Sequence, residues 1–236
     1  MSSFSLLENK LNTWSVSMSK AQMDQFELYY DLLIDWNSKM NLTAITDRDE
    51  VEVKHFIDSA AIASVIDMNS VSSMADIGTG AGFPGIPVKI LFPHIDILLV
   101  DSLNKRVSFL NTVINELGLS GINAVHGRAE NVSRESKYRE YFDLCVSRAV
   151  ANLASLTELC LPFVRVGGRF ISYKSGNYEE EVSNAGNAIS LLGGMLSSVI
   201  DLSIENSSRS FIIVDKVANI VDKYPRREGI PLKKPL

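Results

Sequence analysis

The spacing of hydrophobic positions changes near residue 70. Before that point, apolar residues recur three and four positions apart, as Phe26, Tyr30 and Leu33 do. This spacing predicts amphipathic helices, and no strand pattern precedes residue 70. We therefore expect residues 1–68 to form a helical segment packed on a core domain of residues 69–236.

After residue 70, short apolar runs rich in Ile, Leu and Val alternate with helical segments. This alternation predicts an α/β fold with a mostly parallel sheet and helices on both faces. The last two runs alternate polar and apolar residues around a turn, which predicts a hairpin that gives the sheet an antiparallel last strand. The predicted strands cover residues 74–77, 95–100, 122–126, 142–147, 169–173, 197–204 and 211–217.

The most informative segment follows the strand predicted at residues 74–77. Gly78, Gly80 and Gly82 occupy alternate positions, and Asp76 precedes them. Glycine permits tight backbone turns and lets a ligand approach the main chain closely. In open α/β sheets, ligands bind outside the carboxyl ends of the strands. We expect a nucleotide-like cofactor at this loop.

Two cofactor classes compete for this loop. Residues 80–85 match G-x-G-x-x-G, the dinucleotide fingerprint. The match begins after the strand has ended, and Pro84 and Pro87 remove N–H donors that phosphate binding would use. An acid before the loop, Asp76, suits a cationic cofactor such as S-adenosylmethionine and would repel a pyrophosphate. The segment therefore favours a methyltransferase over a dinucleotide-binding protein.

A second acid, Asp101, closes the next predicted strand. It lies about 20 residues beyond the glycines, the spacing at which a carboxylate accepts hydrogen bonds from ribose hydroxyls. It could equally cap the helix predicted from Lys105.

Composition and charge narrow the function classes. The net charge of −5 argues against nucleic-acid binding, but residues 207–236 form a basic C-terminal tail with seven basic and three acidic residues. Such a tail can contact phosphates, or it can simply be solvated.

Cys145 and Cys160 lie in apolar surroundings and are expected to be reduced core residues. No apolar run reaches the roughly 18 residues that span a bilayer, and the first residues lack a signal peptide, so we expect a cytoplasmic protein without membrane contact. The histidines lack companion ligands, so we expect no metal.

Several short segments occur in order along nearly the whole chain: residues 36–37 (WN), 41–43 (NLT), 55–59 (HFIDS), 76–87 (DIGTGAGFPGIP), 101–110 (DSLNKRVSFL), 127–130 (GRAE), 142–150 (FDLCVSRAV) and the tail 224–227 (YPRR) with Gly229, Pro231 and Pro235-Leu236. Together these segments resemble the RsmG family, also called GidB. The resemblance implies a Rossmann-like class I methyltransferase fold with S-adenosylmethionine as methyl donor. It also implies the target, N7 of a guanine in a 16S rRNA loop near the decoding site, offered as naked RNA or as a small ribosomal subunit.

The resemblance also assigns residues to the site. It implies that Gly78 and Phe83 line the cofactor pocket, that Ala129 and Glu130 meet the adenine, and that Arg148 lies near the transferred methyl group and the incoming base. With the residues argued above, the predicted cofactor-binding set is Asp76, Gly78, Gly80, Gly82, Phe83, Asp101, Ala129, Glu130 and Arg148.

Arg148 is the predicted catalytic residue. Guanine N7 has a lone pair and no proton, so the enzyme must supply alignment rather than a general base. An arginine fork can hold the base or a phosphate by two parallel hydrogen bonds. The alternative is a structural ion pair, with Asp143 or Glu158 as partner.

The predicted RNA contacts are Lys174, Arg226 and Arg227. Both arginines follow Pro225, which would hold the chain extended. Where the family usually shows Lys followed directly by Gly, Ser175 intervenes after Lys174, which weakens a fixed role for this lysine. We expect a monomer. The alternative function is a methyltransferase of the same fold acting on a small molecule or a protein, which the acidic charge favours.

Overall fold

The computed structural model describes residues 4–148, 151–176, 178–205 and 207–236. Strands and helices alternate from Ser73 onwards, as the sequence predicts. The strands among the described residues are β1 (Ser73–Ile77), β2 (Asp96–Asp101), β3 (Ile122–His126), β4 (Phe142–Ser147), β5 (Val164–Lys174), β6 (Gly194–Ile204) and β7 (Ser207–Lys216).

These strands form one sheet with the order β3-β2-β1-β4-β5-β7-β6. Strands β1 to β5 pair in parallel, whereas β7 is antiparallel to both β5 and β6. The expected mostly parallel sheet with an antiparallel last strand is therefore confirmed. The last strand is not at the edge of the sheet, because β7 inserts between β5 and β6.

The start of β5 corrects one prediction. The sequence predicts a turn at Gly167 and Gly168 and a strand only from residue 169, but β5 already begins at Val164. A Cβ atom at Gly168 would lie 2.6 Å from the carbonyl oxygen of Asp143. The glycine therefore serves a close approach between β4 and β5, where the register of the pair shifts, and not a chain reversal.

Helices cover both faces of the sheet. Strand side chains alternate between two apolar clusters, so that Met74 and Leu99 face one layer while Ala75 and Leu98 face the other. Within the described ranges, no helix has the length and apolar character needed to cross a membrane. The helices among the described residues are α1 (Ser5–Thr13), α2 (Lys20–Asn37), α3 (Arg48–Val51), a π-helical turn (Glu52–Ile57), α4 (Asp58–Ala60), α5 (Gly85–Leu91), α6 (Asn104–Glu116), α7 (Ala129–Val132), α8 (Leu153–Cys160), α9 (Glu179–Leu191) and α10 (Ile230–Lys233), with 3-10 turns at Ala61–Ser64, Met68–Ser70 and Leu161–Phe163.

The helices before β1 share their core with the sheet. Ser19 and Gln22 form a capping box that starts α2, and its buried stripe is Phe26, Tyr29 and Leu33. These side chains belong to the same apolar cluster as strand residues of the sheet. The N-terminal segment is therefore held against one face of the sheet by common packing; its boundary at residue 68 stays a prediction.

Candidate active site

The loop after β1 turns away from the sheet through left-handed glycines. The amide of Gly78 donates to the Val100 carbonyl at 2.9 Å, which ties the loop to the end of β2. Gly78 and Gly80 have φ angles of 72° and 63°, a conformation that favours glycine. Among the described residues, no atom beyond the two chain neighbours of Gly80 lies within 4 Å of the position that a Cβ atom would take there. The loop therefore leaves open space above its backbone at this residue.

At Gly82 the loop packs closely against neighbouring side chains, in contrast to the open space at Gly80. Its φ angle is 99°, and a Cβ atom there would lie 2.5 Å from Ile86 Cδ1 and 2.8 Å from the Tyr29 hydroxyl. That hydroxyl donates a hydrogen bond to the Ala81 carbonyl at 2.5 Å. Helix α2 therefore supports the loop from below, and only a residue without a side chain permits this approach.

Asp76 lies buried beneath the same loop. Its Oδ2 atom accepts hydrogen bonds from the Thr79 hydroxyl at 2.7 Å and from the Gly85 amide at 2.9 Å. The Oδ1 atom has no hydrogen-bond partner among the described residues. Burial raises the pKa of the Asp76 carboxyl group to about 6, against the opposing effect of these hydrogen bonds. Asp76 thus joins the two ends of the loop, and its direct contact with a cofactor stays a prediction.

Asp101 orients the loop from the neighbouring strand. One carboxylate oxygen accepts from the Gly80 amide at 3.0 Å, and the other accepts from the Leu103 amide at 2.9 Å. Arg106 Nη1 lies 3.4 Å from the first oxygen. The residue at the N-cap position of α6 is Leu103, so the alternative of Asp101 as helix cap is wrong. The carboxylate stands at the carboxyl end of β2, beside the glycine loop.

Arg148 follows β4 and meets the N-terminal helical segment. Its Nη1 atom donates to Asp58 Oδ2 at 2.8 Å and to the Lys54 carbonyl at 3.1 Å. The other oxygen of Asp58 accepts from Arg209 Nε at 2.5 Å. The guanidinium carbon of Arg148 lies 5.1 Å from the ring centroid of Phe83. The buried Asp58 carboxylate therefore holds two arginines at the same edge of the sheet.

The ion-pair partners considered for Arg148 in the sequence are both engaged elsewhere. Asp143 pairs with Arg165 at 2.7 Å, and Glu158 pairs with Arg226 at 2.5 Å. The prediction of Asp143 or Glu158 as partner is therefore wrong. The actual partner lies 90 residues earlier in the chain, a distance over which a sequence pattern carries no pairing information.

His55 completes the wall next to Arg148. Its ring stacks on Phe83 with a centroid distance of 4.4 Å and an interplanar angle of 19°, and its Nε2 atom lies 2.9 Å from the Thr43 hydroxyl. Burial, reinforced by the nearby Arg148 charge, lowers the pKa of His55 to about 4. The imidazole is therefore neutral at neutral pH and adds no positive charge to the site.

Two adjoining cavities open at this edge of the sheet. The first cavity, of about 200 Å³, is mainly apolar and lies between the ends of β1, β2 and β4, α7 and α8. The second cavity, of about 340 Å³, lies between the glycine loop and the N-terminal helical segment. Gly78 and Ser102 line both, so the cavities meet at the end of β1.

Most of the predicted cofactor-binding residues line these cavities. Ala129 and Glu130 line the first cavity. Asp76 and Gly82 are in the lining of neither and hold the loop instead. The predicted residues that line the second cavity are Gly78, Gly80, Phe83, Asp101 and Arg148.

Two of the predicted RNA contacts are paired inside the protein. Lys174 is almost buried, and its Nζ atom lies 2.6 Å from Glu181 Oε2. Arg226 makes hydrogen bonds to both oxygens of the fully buried Glu158 through its side chain, and a further one through its amide. These cations neutralise buried or partly buried carboxylates, and their contact with RNA stays a prediction. Arg227 is exposed, so its predicted contact with RNA stays a prediction.

The residues after β7, 217–236, are here called the C-terminal strap, and they do not extend into solvent. Arg134 Nη1 and Arg139 Nη1 donate to the carbonyls of Asp222 and Tyr224. The strap then forms α10 and brings Leu232 into the lining of the first cavity. The extended arm expected after Pro225 is thus replaced by a segment folded against α7 and α8.

Sequence reasoning missed several residues of the cavity walls. Leu232 had no signal, because a single apolar residue in a short terminal helix shows no periodicity. Thr43 and His55 lie before the sheet, in segments that match the family, but no role in the site was predicted for them. Ser102 directly follows Asp101, and its position after a strand end could have identified it.

Comparisons with known proteins agree on one family. The family model GidB, described as rRNA small subunit methyltransferase G, matches residues 22–212. A Lachnoclostridium phytofermentans protein named ribosomal RNA small subunit methyltransferase G is 51% identical over 96% of this chain and 94% of its own. A Bacillus subtilis protein of the same name is 45% identical over 94% of this chain and 93% of its own.

A likeness to solved structures concerns the fold alone. A crystal structure of a mutant of MtNAS in complex with S-adenosylmethionine matches with a TM-score of 0.56 and 15% sequence identity. The match covers 91% of this chain and 78% of that one.

The raised pKa of Asp76 predicts a specific pH dependence of stability. The folded protein disfavours the ionised carboxylate, so the free energy of unfolding should fall as the pH rises from the ordinary value of 3.8 to about 6. Each pH unit between these two pKa values corresponds to about 1.4 kcal/mol. Asp76→Asn lacks this titration, so the stability of the wild type minus that of the variant should decrease across this window.

Urea unfolding at a series of pH values measures this difference. Asp31→Asn, at an exposed position of α2, is the control for the loss of one carboxylate. A flat difference for Asp76→Asn between these pH values would contradict the raised pKa.

Arg226 and Arg227 are neighbours in the chain but differ in pairing, so variants of the two test whether Arg226 stabilises the fold. Arg226→Ala leaves the buried Glu158 carboxylate without its cation, and we expect the free energy of unfolding to fall by about 3 kcal/mol. This value is at the low end for buried pairs, because the Arg226 side chain is 24% exposed. Arg227→Ala should change stability by less than about 0.5 kcal/mol. Equal stability of the two variants in urea would refute the structural role of Arg226.

Proposed function

The chain belongs to the rRNA small subunit methyltransferase G family, and we propose that it transfers a methyl group from S-adenosylmethionine to N7 of a single guanine in 16S rRNA, in a loop near the decoding site. Membership follows from the family match over residues 22–212 and from the 51% identity to a relative of nearly equal length. It confirms the resemblance drawn from the motifs. The fold is that of class I S-adenosylmethionine-dependent methyltransferases.

One observation carries the proposal for the site. Seven of the nine predicted cofactor-binding residues, from segments as distant in sequence as Gly78 and Arg148, line two cavities that meet at the end of β1. This is the edge at which open α/β sheets bind ligands. A site that holds a donor in one cavity and an acceptor in the other needs such a junction.

The residues present fit S-adenosylmethionine. The first cavity has an apolar lining that includes Ile77, Val100 and Leu156, which suits the faces of an adenine ring. Asp101 offers a carboxylate at the end of β2, where ribose hydroxyls can donate to it. The open space above Gly80 allows close approach to the loop backbone. When bound, the cofactor would supply an electrophilic methyl group on a sulfonium.

Methyl transfer to guanine N7 requires few catalytic side chains. The N7 lone pair would accept the methyl group, and the electrons of the methyl–sulfur bond would leave with the cofactor's sulfur. Because N7 carries no proton, no residue has to act as a general base. The neutral His55 and the glycine loop are consistent with this demand, since the site has only to align the reactants and exclude water.

Arg148 is proposed to position the incoming guanine. Its guanidinium lines the second cavity, next to Phe83 and His55, and Asp58 fixes its orientation at 2.8 Å. A guanidinium with a fixed orientation can donate to the carbonyl oxygen of guanine or to a phosphate. The pair with Asp58 therefore supports a positioning role, because it reduces the freedom of the side chain without covering the cavity.

Recognition of the RNA is proposed to use surface around the second cavity together with Arg227, the exposed arginine of the strap. Lys174 and Arg226 are left out, since both are paired with carboxylates. We also propose that the protein acts as a monomer, because the described residues of one chain line both cavities.

The direct test of function is methyl transfer to small ribosomal subunits. Purified protein would be mixed with S-adenosylmethionine labelled on the methyl group and with subunits from cells that lack the enzyme. We expect label at one guanine of 16S rRNA, mapped by chain cleavage at N7-methylguanine. Subunits that already carry the modification are the control and should take no label.

Other outcomes reassign the function. Label on another atom or base would keep the rRNA substrate and overturn the N7 assignment. Cofactor binding without label on any ribosomal RNA would favour the alternative, a methyltransferase acting on a small molecule or a protein.

Arg148→Lys tests the positioning role. Lysine keeps a positive charge near Asp58 but loses the planar fork, so we expect kcat for methyl transfer to fall about 10- to 100-fold with a smaller change in cofactor affinity. Arg165→Lys is the matched control, because Arg165 pairs with Asp143 at the opposite end of β4. Both variants should unfold at similar temperatures. An Arg148→Lys protein with the kcat of the wild type would exclude this role.

A further inference from the structure

Leu232 is an apolar side chain at the mouth of the first cavity. It belongs to α10, in the C-terminal strap, and it lines the cavity together with Leu156 and Leu159 of α8. Leu232 is 44% exposed, whereas Leu156 and Leu159 are 1% and 8% exposed. A leucine that faces a cavity and remains half-exposed has apolar surface that a ligand can cover.

The strap is fixed on both sides of this leucine. Upstream, Arg226 is joined to the buried Glu158 of α8 by several hydrogen bonds. At α10 itself, the buried Ser155 hydroxyl donates to the Pro231 carbonyl at 2.7 Å. Leu232 directly follows Pro231, so its position relative to α8 is set by these two anchors and not by its own packing.

The strap is also joined to the residues predicted to meet the adenine. Glu130 is 2% exposed, and its Oε1 atom accepts a hydrogen bond from the Gly229 amide at 2.8 Å. Gly229 has a φ angle of 75°, which favours glycine at this turn. The Glu130 side chain therefore holds the strap next to the first cavity, whose lining includes Ala129 and Glu130.

We propose that the C-terminal strap forms the outer wall of the adenosine subsite, with Leu232 packing against the adenine of the cofactor. The inference rests on the proposed function, because it takes S-adenosylmethionine as the ligand of the first cavity. Ile77 and Val100, at the ends of their strands, form the inner wall, and Leu232 faces them from outside. A flat aromatic ring between two apolar walls loses contact with water on both faces.

The C-terminal strap would then have a role in cofactor binding that is separate from RNA contact. The strap's Arg226 and the arginines that bind its backbone, Arg134 and Arg139, hold it in place. Leu232 contributes apolar surface to a cofactor subsite, and such a contribution needs no RNA. It is therefore measurable on the free protein.

The test is calorimetric titration of the full chain, without RNA, with S-adenosylhomocysteine and with methylthioadenosine. The second ligand keeps the adenosine and lacks the amino acid. Leu232→Ala should weaken both ligands at least about fivefold and by the same factor, since the lost contact is with the part they share. Leu232→Met, which keeps apolar bulk, should bind within about twofold of the wild type.

Ile230→Ala is the matched control. Ile230 is an apolar, 37% exposed residue of the same short helix, but it is not part of the cavity lining. It should bind both ligands like the wild type, and all three variants should unfold at similar temperatures.

Three outcomes would overturn the inference in different ways. Binding of both ligands to Leu232→Ala within about twofold of the wild type would refute the role of the strap alone. A wild-type protein that binds neither ligand would refute the proposed function and this inference with it. Loss of affinity for S-adenosylhomocysteine alone would also refute the adenosine contact.

Discussion

The Asp76 carboxylate is buried under the loop that follows β1, where it accepts hydrogen bonds from Thr79 and Gly85 at the two ends of that loop. Water cannot replace these bonds, because the carboxylate has no exposed surface. The loop is thereby held in a path that turns out of the sheet and leaves Gly78 and Gly80 beside the cavities. The same burial raises the pKa of Asp76, so the residue that fixes the loop is also one with perturbed ionisation, as is common at functional sites.

The helices before the sheet contribute the second support of the site. Tyr29 bonds to the loop from below, His55 stacks on Phe83, and Asp58 holds Arg148 and Arg209. The sheet resembles in fold a solved structure that is only 15% identical in sequence, whereas these contacts come from a segment that lies outside the alternating part of the chain. This segment forms one wall of the second cavity, since Leu42, Thr43 and His55 line it together with the glycine loop.

Ion pairs within the protein limit what its net charge and its locally basic region can predict about RNA binding. The chain has a net charge of −5, and its C-terminal region is locally basic. Two of the cations predicted to contact RNA, Lys174 and Arg226, neutralise Glu181 and Glu158. An unpaired buried carboxylate would be destabilising, so these pairs stabilise the protein even though they remove positive charge from its surface. The pair of Arg226 with Glu158 consequently ties the strap to α8, with Arg227 left exposed.

The sequence by itself determined the features that depend on neighbouring residues. The helical spacing of apolar residues before residue 70, and the alternation of apolar runs with helical segments after it, predicted the order of helices and strands. The glycine loop with Asp76 identified the edge of the sheet where the cavities lie. The family followed from motifs spread along the chain. Only the tertiary structure decided which distant groups meet, such as Arg148 with Asp58, Glu130 with Gly229, and Leu232 with the first cavity. The physical reason is that periodicity and turn chemistry act over a few residues, whereas ion pairs and cavity walls join side chains that folding alone brings together.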